Sequence, residues 1–362
     1  MNSCDALRFT SLRRLTTAVV IGGVAVMVAP FLPARAAPSG AQAFQGTVGK
    51  SKVIMILDTS SLKLSGSYFY RASGLDIGLS GTAAKLNEVD PNLITNYEQA
   101  VTGTFQGVLG ADNSTYKGTW KAVKGSKSSP FSVKSIGSST PGTAQTVTVT
   151  KVVKTAKSKV GPASYRFPLV VGTTPDWIAT RINADAKNRS LGSDSLSAVI
   201  ADFEKGGSGI TDVSYKVNHN ANGLLDLTMT SETMGAYPDA FSEYLVYDLR
   251  SGARVRPGDV FSTFSPIRSL IQKQVEDAIA AAKADDPSAA EDLNLMLGDT
   301  PGSVDDDTLG RFTIAKTGLT FHYSFGFPHV AKALEPNGDV LLTWAELKPS
   351  LRLDGLFATF AK

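Results

Sequence analysis

Cysteine is all but missing from this 362-residue chain, and the single one, Cys4, lies ahead of an expected cleavage point. A mature chain without thiols has no disulfide framework, no thiolate nucleophile and no cysteine for a lipid anchor. Histidine is nearly as scarce: His219, His322 and His329 are the full set. A zinc centre would need a helical His-Glu-x-x-His pattern or an equivalent ligand cluster, and neither occurs. The chain also has no Gly-x-Ser-x-Gly elbow and no phosphate-binding loop. Asp305-Asp306-Asp307 lacks the alternating oxygen ligands of a calcium loop and reads as a solvated acidic turn. Convergence of His322, His329 and Asp339 ranks well below ordinary packing. No catalytic residue, cofactor or metal ligand is therefore assigned. A carboxylate pair for sugar hydrolysis stays open, because Asp and Glu are plentiful and their separations are invisible in sequence.

Excess charge is missing too. Four arginines and one aspartate fall within residues 1–36, which leaves equal numbers of basic and acidic side chains beyond them. The formal charge of +3 is thus no footprint for nucleic acid. Residues 1–36 have the order of a secretory signal: Arg8, Arg13 and Arg14, an apolar run from Ala18 to Leu32, and small residues at Ala34-Arg35-Ala36. Cleavage is expected after Ala36, with the export route, general or twin-arginine, left open. No second apolar run is long enough to span a bilayer, so the mature chain is expected to be periplasmic or secreted and without a transmembrane anchor.

What is present begins with glycine-punctuated strands. Ser65-Gly66-Ser67, Ser80-Gly81-Thr82, Thr102-Gly103-Thr104 and Lys117-Gly118-Thr119 recur between Phe44 and Phe131, with aromatics after three of the four. The spacing predicts β-hairpin repeats with glycine where a strand bends or a neighbouring backbone approaches. Their aromatics are expected in the core rather than on a platform for sugar rings. Gly125 to Gly142 is rich in Ser, Gly, Lys and Pro and reads as a linker. Lys121, Lys124, Lys127 and Lys134, then Lys151, Lys154, Lys157 and Lys159, form a basic band. Such a band could meet anionic glycan or lipid, though a solvated surface is its commoner meaning. The divisions are a signal at 1–36, a hairpin-repeat domain at 37–137, a linker at 138–146 and an α+β domain at 147–362, the two domains folding separately.

In the last region Thr146 to Val152 alternates as a strand, and Arg166 to Val170 reads as an edge strand because Pro168 cannot donate to a ladder. Thr174 and Ser193 are expected to cap helices, and Ser265-Pro266 begins a long one through Ile267, Ile271, Val275 and Ile279. Leu225, Leu227 and Met229 alternate with Asp226 and Thr228 as a half-buried strand. The Met234-Gly235-Ala236-Tyr237-Pro238 loop and the strand Tyr244 to Leu249 follow. The fold class is α+β, an antiparallel sheet with inserted helices preceded by a small all-β domain.

The order of Tyr165-Arg166-Phe167-Pro168, an Asn183-containing helix, Met234 to Pro238, Tyr247 to Gly252, Phe312-Thr313-Ile314, Gly318 to Phe321 and Val340 to Leu347 resembles the RsiV-like extracytoplasmic domain family. It covers roughly residues 147–350. That family supplies the lysozyme-sensing part of certain anti-sigma factors and accompanies PdaC-type peptidoglycan deacetylases. The resemblance implies a non-enzymatic envelope binding protein whose partner is a lysozyme-like protein or cell-wall glycan. Two loops depart from the family pattern, at Met234-Gly235-Ala236-Tyr237 and at Phe325-Gly326-Phe327-Pro328-His329. Both follow strands and offer aromatics near glycine or proline, so Tyr237, Phe325, Phe327 and His329 are the expected partner-binding residues. The rival readings are a cell-wall hydrolase or deacetylase and a scaffold module.

Overall fold

The computed structural model describes residues 41–89, 101–138, 145–235, 237–297, 304–352 and 354–360. The expected signal segment and its cleavage point, most of the linker at 138–146, and Ala236 lie outside the described residues. The fold is mixed α+β and mostly sheet.

The glycine-punctuated part closes on itself. Strands β1 (Ala41–Val48), β2 (Ser51–Asp58), β3 (Leu64–Tyr70), β4 (Ile77–Thr82), β5 (Lys85–Val89), β6 (Gly103–Leu109), β7 (Thr115–Ala122) and β8 (Ser128–Ser138) form an antiparallel barrel in sequence order. β8 pairs back onto β1, which leaves no edge strand to be blunted. Ser128–Ser138 falls in the stretch whose composition reads as linker, yet it is an eleven-residue strand. Phe131 and Val133 alternate with exposed Ser132 and Lys134, and that period decides it over the abundance of serine. Phe44, Met55, Tyr68, Phe105, Tyr116 and Phe131 fill the interior. Gly66 and Gly118 sit where a side chain would meet the backbone of Ile56 and Gln106 on the next strand, the close approach that the repeat spacing predicts.

One buried carboxylate is built into this barrel. Glu88 accepts from the Tyr68 hydroxyl, from Trp120 Nε1 at 2.5 Å and from Thr102 Oγ1 at 2.9 Å. Burial and the Glu88 carboxylate push the Tyr68 hydroxyl far above its ordinary range, so it remains a donor. The group is satisfied by hydrogen bonds, as a buried charge without a cation must be.

The remaining chain builds a sheet of six strands and a smaller one of three. β9 (Thr148–Ser158) and β10 (Gly161–Val171) are followed by helices α1 (Trp177–Ser190) and α2 (Leu196–Gly206). Then come β11 (Gly209–Ala221), β12 (Leu224–Met234), β13 (Pro238–Asp248) and the short β14 (Ala253–Arg254). The sheet order is β14-β13-β12-β11-β10-β9, antiparallel except for β10 beside β11. The two helices make that parallel crossover, and β10 is consequently an inner strand rather than an edge. Pro168 is tolerated because β11 pairs only with Ser164 and Tyr165, while Pro168 faces Lys151 of β9. The caps also fall one or two residues away from expectation. Ser195 caps α2 by accepting from Ala198 N–H, and Thr173 rather than Thr174 accepts from Ala179 N–H near the start of α1.

After α3 (Pro257–Val260) the chain runs through the long α4 (Ser265–Asp285), α5 (Ala290–Leu297) and α6 (Asp306–Gly310). It then forms β15 (Phe312–Ile314) and β16 (Gly318–His322), a 3-10 turn at His329–Leu334, β17 (Asp339–Thr343) and α7 (Trp344–Leu347). The six-stranded sheet is covered on both faces. Leu225, Leu227 and Leu245 point to α1, α2 and the barrel wall, while Leu224 and Val246 point to α4 and the small sheet. Ile267, Ile271, Val275 and Ile279 are the buried stripe of α4, as their helical spacing predicts. Each contributes on the order of 2 kcal/mol of apolar burial.

Barrel and sheet share a core. Ile54, Ile56 and Phe69 point outward from β2 and β3 and pack with Trp177 and Ile178 of α1. Arg181 of α1 donates to the Asp76 carboxylate and to the carbonyl of Ser251, and Arg71 pairs with Asp176.

Candidate functional site

β12 and β13 pair over eleven residues each, from Leu224↔Asp248 to Met234↔Pro238, and Tyr237 stands at the tip of this ribbon. It is 72% exposed, yet its ring stacks on His329 with centroids 5.9 Å apart and planes 20° apart. The two loops singled out in the sequence are thus brought into direct ring contact. His329 opens the 3-10 turn, and the next residue, Val330, is 91% exposed.

Phe325 and Phe327 lie under this surface. Phe327 is 4% exposed and packs with Leu293 of α5 and Ala331. Phe325 is half-buried and meets Tyr323 and Phe327 edge-on, at 4.9 and 6.0 Å. Of the four expected residues, Tyr237 and His329 face solvent together, whereas Phe325 and Phe327 brace the loop that carries His329. Leu295 and Met296 of α5, the helix that also holds Phe327, add exposed apolar surface.

A second histidine forms a different arrangement. His322 Nδ1 lies 2.8 Å from Asp339 Oδ1 and its Nε2 lies 3.0 Å from Thr313 Oγ1, which links all three strands of the small sheet. Tyr244 of β13 stacks on the imidazole at 3.7 Å with planes 5° apart, and the Arg311 guanidinium lies 5.9 Å from the centroid of that phenol. Burial, with the Arg311 charge, holds the imidazole pKa below its ordinary value against the pull of Asp339. The neutral ring then donates from Nδ1 to Asp339 and accepts from Thr313 at Nε2.

The connectivity is that of a hydroxyl-imidazole-carboxylate relay, so its chemistry is worth testing against geometry. His322 N–H donates to Arg311 O and Ala315 N–H to Gly318 O, so by alternation Thr313 and Thr320 are a hydrogen-bonded pair. The Thr313 N–H is then spent on the ladder and unavailable to an oxyanion, and Tyr244 closes one face of the ring. The arrangement ties the small sheet to the large one. The His219 ring lies 5.8 Å from that of Phe360, and the His329 ring stacks on Tyr237.

Asp226 completes this joint and was not singled out in the sequence. Its Oδ2 accepts from Ile314 N–H at 2.6 Å and its Oδ1 from Asn218 Nδ2 at 3.1 Å. Among the described residues, no group of three or more His, Cys, Asp or Glu is placed to hold a metal ion, and no helix is long and apolar enough to cross a membrane.

What these parts define is a mixed α+β protein with an aromatic clasp exposed at the end of a long hairpin. No family model matches the chain, and neither does any curated protein. Among solved structures it is similar to a member of the DUF3298 family from Bacteroides fragilis NCTC 9343. Identity there is 14% and the TM-score 0.41, over 59% of this chain and 95% of that one. It is also similar to a DUF3298 family protein from Pseudomonas aeruginosa PAO1, at 12% identity and a TM-score of 0.41, over 57% of this chain and 94% of that one.

Proposed function

We propose that this protein is an exported, non-enzymatic binding protein of the cell envelope. It captures a lysozyme-like protein or cell-wall glycan through the tip of the β12–β13 hairpin. The observation that carries the reading is the exposed Tyr237 ring in offset, near-parallel stacking with His329, whose chain neighbour Val330 is also exposed. Free aromatic side chains lose rotamer freedom on binding, and a ring already stacked on a neighbour has lost part of it beforehand. Aromatic anchors are enriched among the residues that dominate binding energy. The basic and apolar order of residues 1–36 supports export. The motif order resembling the RsiV-like domain supports an envelope partner of the lysozyme kind.

The test is capture of purified lysozyme and, separately, of soluble peptidoglycan fragments by the parent protein and by Tyr237→Ala and Val330→Ser variants. Loss of capture by about tenfold or more, with an unchanged unfolding transition, supports the site. Equal capture by parent and variants would remove the hairpin tip from the reading. Failure of the parent to hold either probe would remove the partner class.

A further inference from the structure

Barrel closure assembles a basic wall that the linear order of the lysines conceals. Because β8 returns to β1, outward side chains run in rows across β6, β7, β8 and β1. One row reads Val108, Lys117, Ser132, Thr47 and Lys52, through successive cross-strand pairs. A second sets Lys134 between Thr115 and Gln45. Lys121 lies near the end of β7, just ahead of the β7–β8 turn that holds Lys124 and Lys127, and Lys50 lies in the adjacent β1–β2 turn. All seven lysines are exposed, and none forms an ion pair among the described residues. From Val101 to Ser138 the sole acidic residue is Asp112, in the β6–β7 turn at the opposite rim, and β1 has none. On the other side of the barrel β2 and β3 meet α1; the Ala41 end of β1 belongs to that shared core, whereas no described residue of β6, β7 or β8 does.

Exposed aliphatic side chains stand among these lysines. Val108 is 69% exposed, Val123 54% and Ile136 48%. Val123 sits in the β7–β8 turn between Lys121 and Lys124, where a side chain can leave the sheet surface.

We propose that the β6–β7–β8–β1 wall is a docking surface for an anionic phospholipid bilayer. Lysines near such a surface are drawn to the headgroups, each changing the binding constant about fivefold, and the attraction decays within a Debye length. Exposed aliphatics give the wall a second component, since they gain by entering the acyl boundary. A fully hydrated anionic polymer would engage the lysines but offer Val108, Val123 and Ile136 nothing. The combination therefore favours a lipid surface. This surface is separate from the hairpin tip and stands or falls independently of it.

The experiment is cosedimentation of the chain from Pro33 onward, which keeps every described residue, with phosphatidylcholine vesicles. A parallel set has a third of the lipid replaced by phosphatidylglycerol. Binding is expected only to the second set, weakening as salt is raised. Lys117→Glu with Lys121→Glu should weaken it by about tenfold or more. Lys151→Glu with Lys154→Glu, on β9, should leave it unchanged, and Val123→Ser should weaken it several-fold. Unfolding midpoints of the variants confirm that each is folded, and Lys117→Gln with Lys121→Gln serves if the charge reversal is not tolerated. Absence of binding to phosphatidylglycerol, or equal binding by the β7 and parent proteins, would overturn the proposal. So would inorganic polyphosphate binding as tightly as the vesicles with Val123→Ser without effect, which would make the wall a site for soluble polyanions.

Discussion

Asp226 is wholly buried, and burial pushes its pKa from 3.8 up to about 6 in spite of the bonds from Ile314 and Asn218. A carboxyl with a raised folded pKa favours the fold most when protonated. That contribution is whole below pH 3.8 and is lost as pH rises through about 6, a change on the order of 3 kcal/mol. His322 acts in the opposite sense. Its folded pKa is depressed, so its contribution is present above the unfolded value of 6.5 and is lost as pH falls through the lowered one. Urea unfolding of the parent from pH 4 to 7 should show a downward slope in stability, and Asp226→Asn should lack it. An unaltered slope would assign it to other groups. Asp226 also marks a limit of reading residues one by one. Alternation along β12 assigns it to solvent, and it would lie there if the sheet had one covered face. The small sheet covers the second face, and that depends on residues some 90 positions away in sequence, as the separation of 88 between Asp226 and Ile314 shows.

At the scale of elements, the hairpin tip and the loop beneath it divide the expected site into an exposed half and a supporting half. Phe327→Ala should destabilise the protein by about 3 kcal/mol, because it empties a place between Leu293 and Ala331. Tyr237→Ala should change stability by less than about 0.5 kcal/mol, because most of its ring is already in water. Equal losses for both, measured by denaturant unfolding, would make Tyr237 part of the packing. Elements with a strong period were legible beforehand: the α4 stripe, the Leu225–Leu227–Met229 alternation of β12, and the strand glycines Gly66 and Gly118. β8 was hidden by its serines and lysines, and the inner position of β10 by a proline that the short parallel pairing excuses. The Tyr237–His329 contact lay beyond the sequence because nothing local relates residue 237 to residue 329. Only the chemical suitability of each loop was readable.

For the whole molecule, the shared core of barrel and sheet bears on the expectation that two regions fold separately. Arg181 is buried and donates to Asp76 from across the junction, with Ser67 and the Ser251 carbonyl as further partners. Removing one member of such a pair leaves a buried charge, here softened because Asp76 is partly open to solvent. Asp76→Ala should cost about 2–3 kcal/mol and lower the stability of barrel and sheet together. Calorimetry of the parent should show one transition. Two well-separated transitions, only one of them moved by Asp76→Ala, would establish independent units.

The pairing of every histidine with an aromatic ring gives the protein its own magnetic reporters. Three imidazoles in a chain of 362 residues yield three C2 proton signals in a region of the spectrum with little else. Each sits in the ring current of a different partner: Phe360 for His219, Tyr244 for His322, Tyr237 for His329. The signal of His322, with centroids 3.7 Å apart, should be displaced most and should titrate below the ordinary imidazole range. Tyr237→Ala should return the His329 signal alone to its unperturbed position. A ligand seated on the hairpin tip should move that same resonance and leave the other two in place, so an unlabelled sample and a one-dimensional spectrum suffice to locate an encounter on this surface.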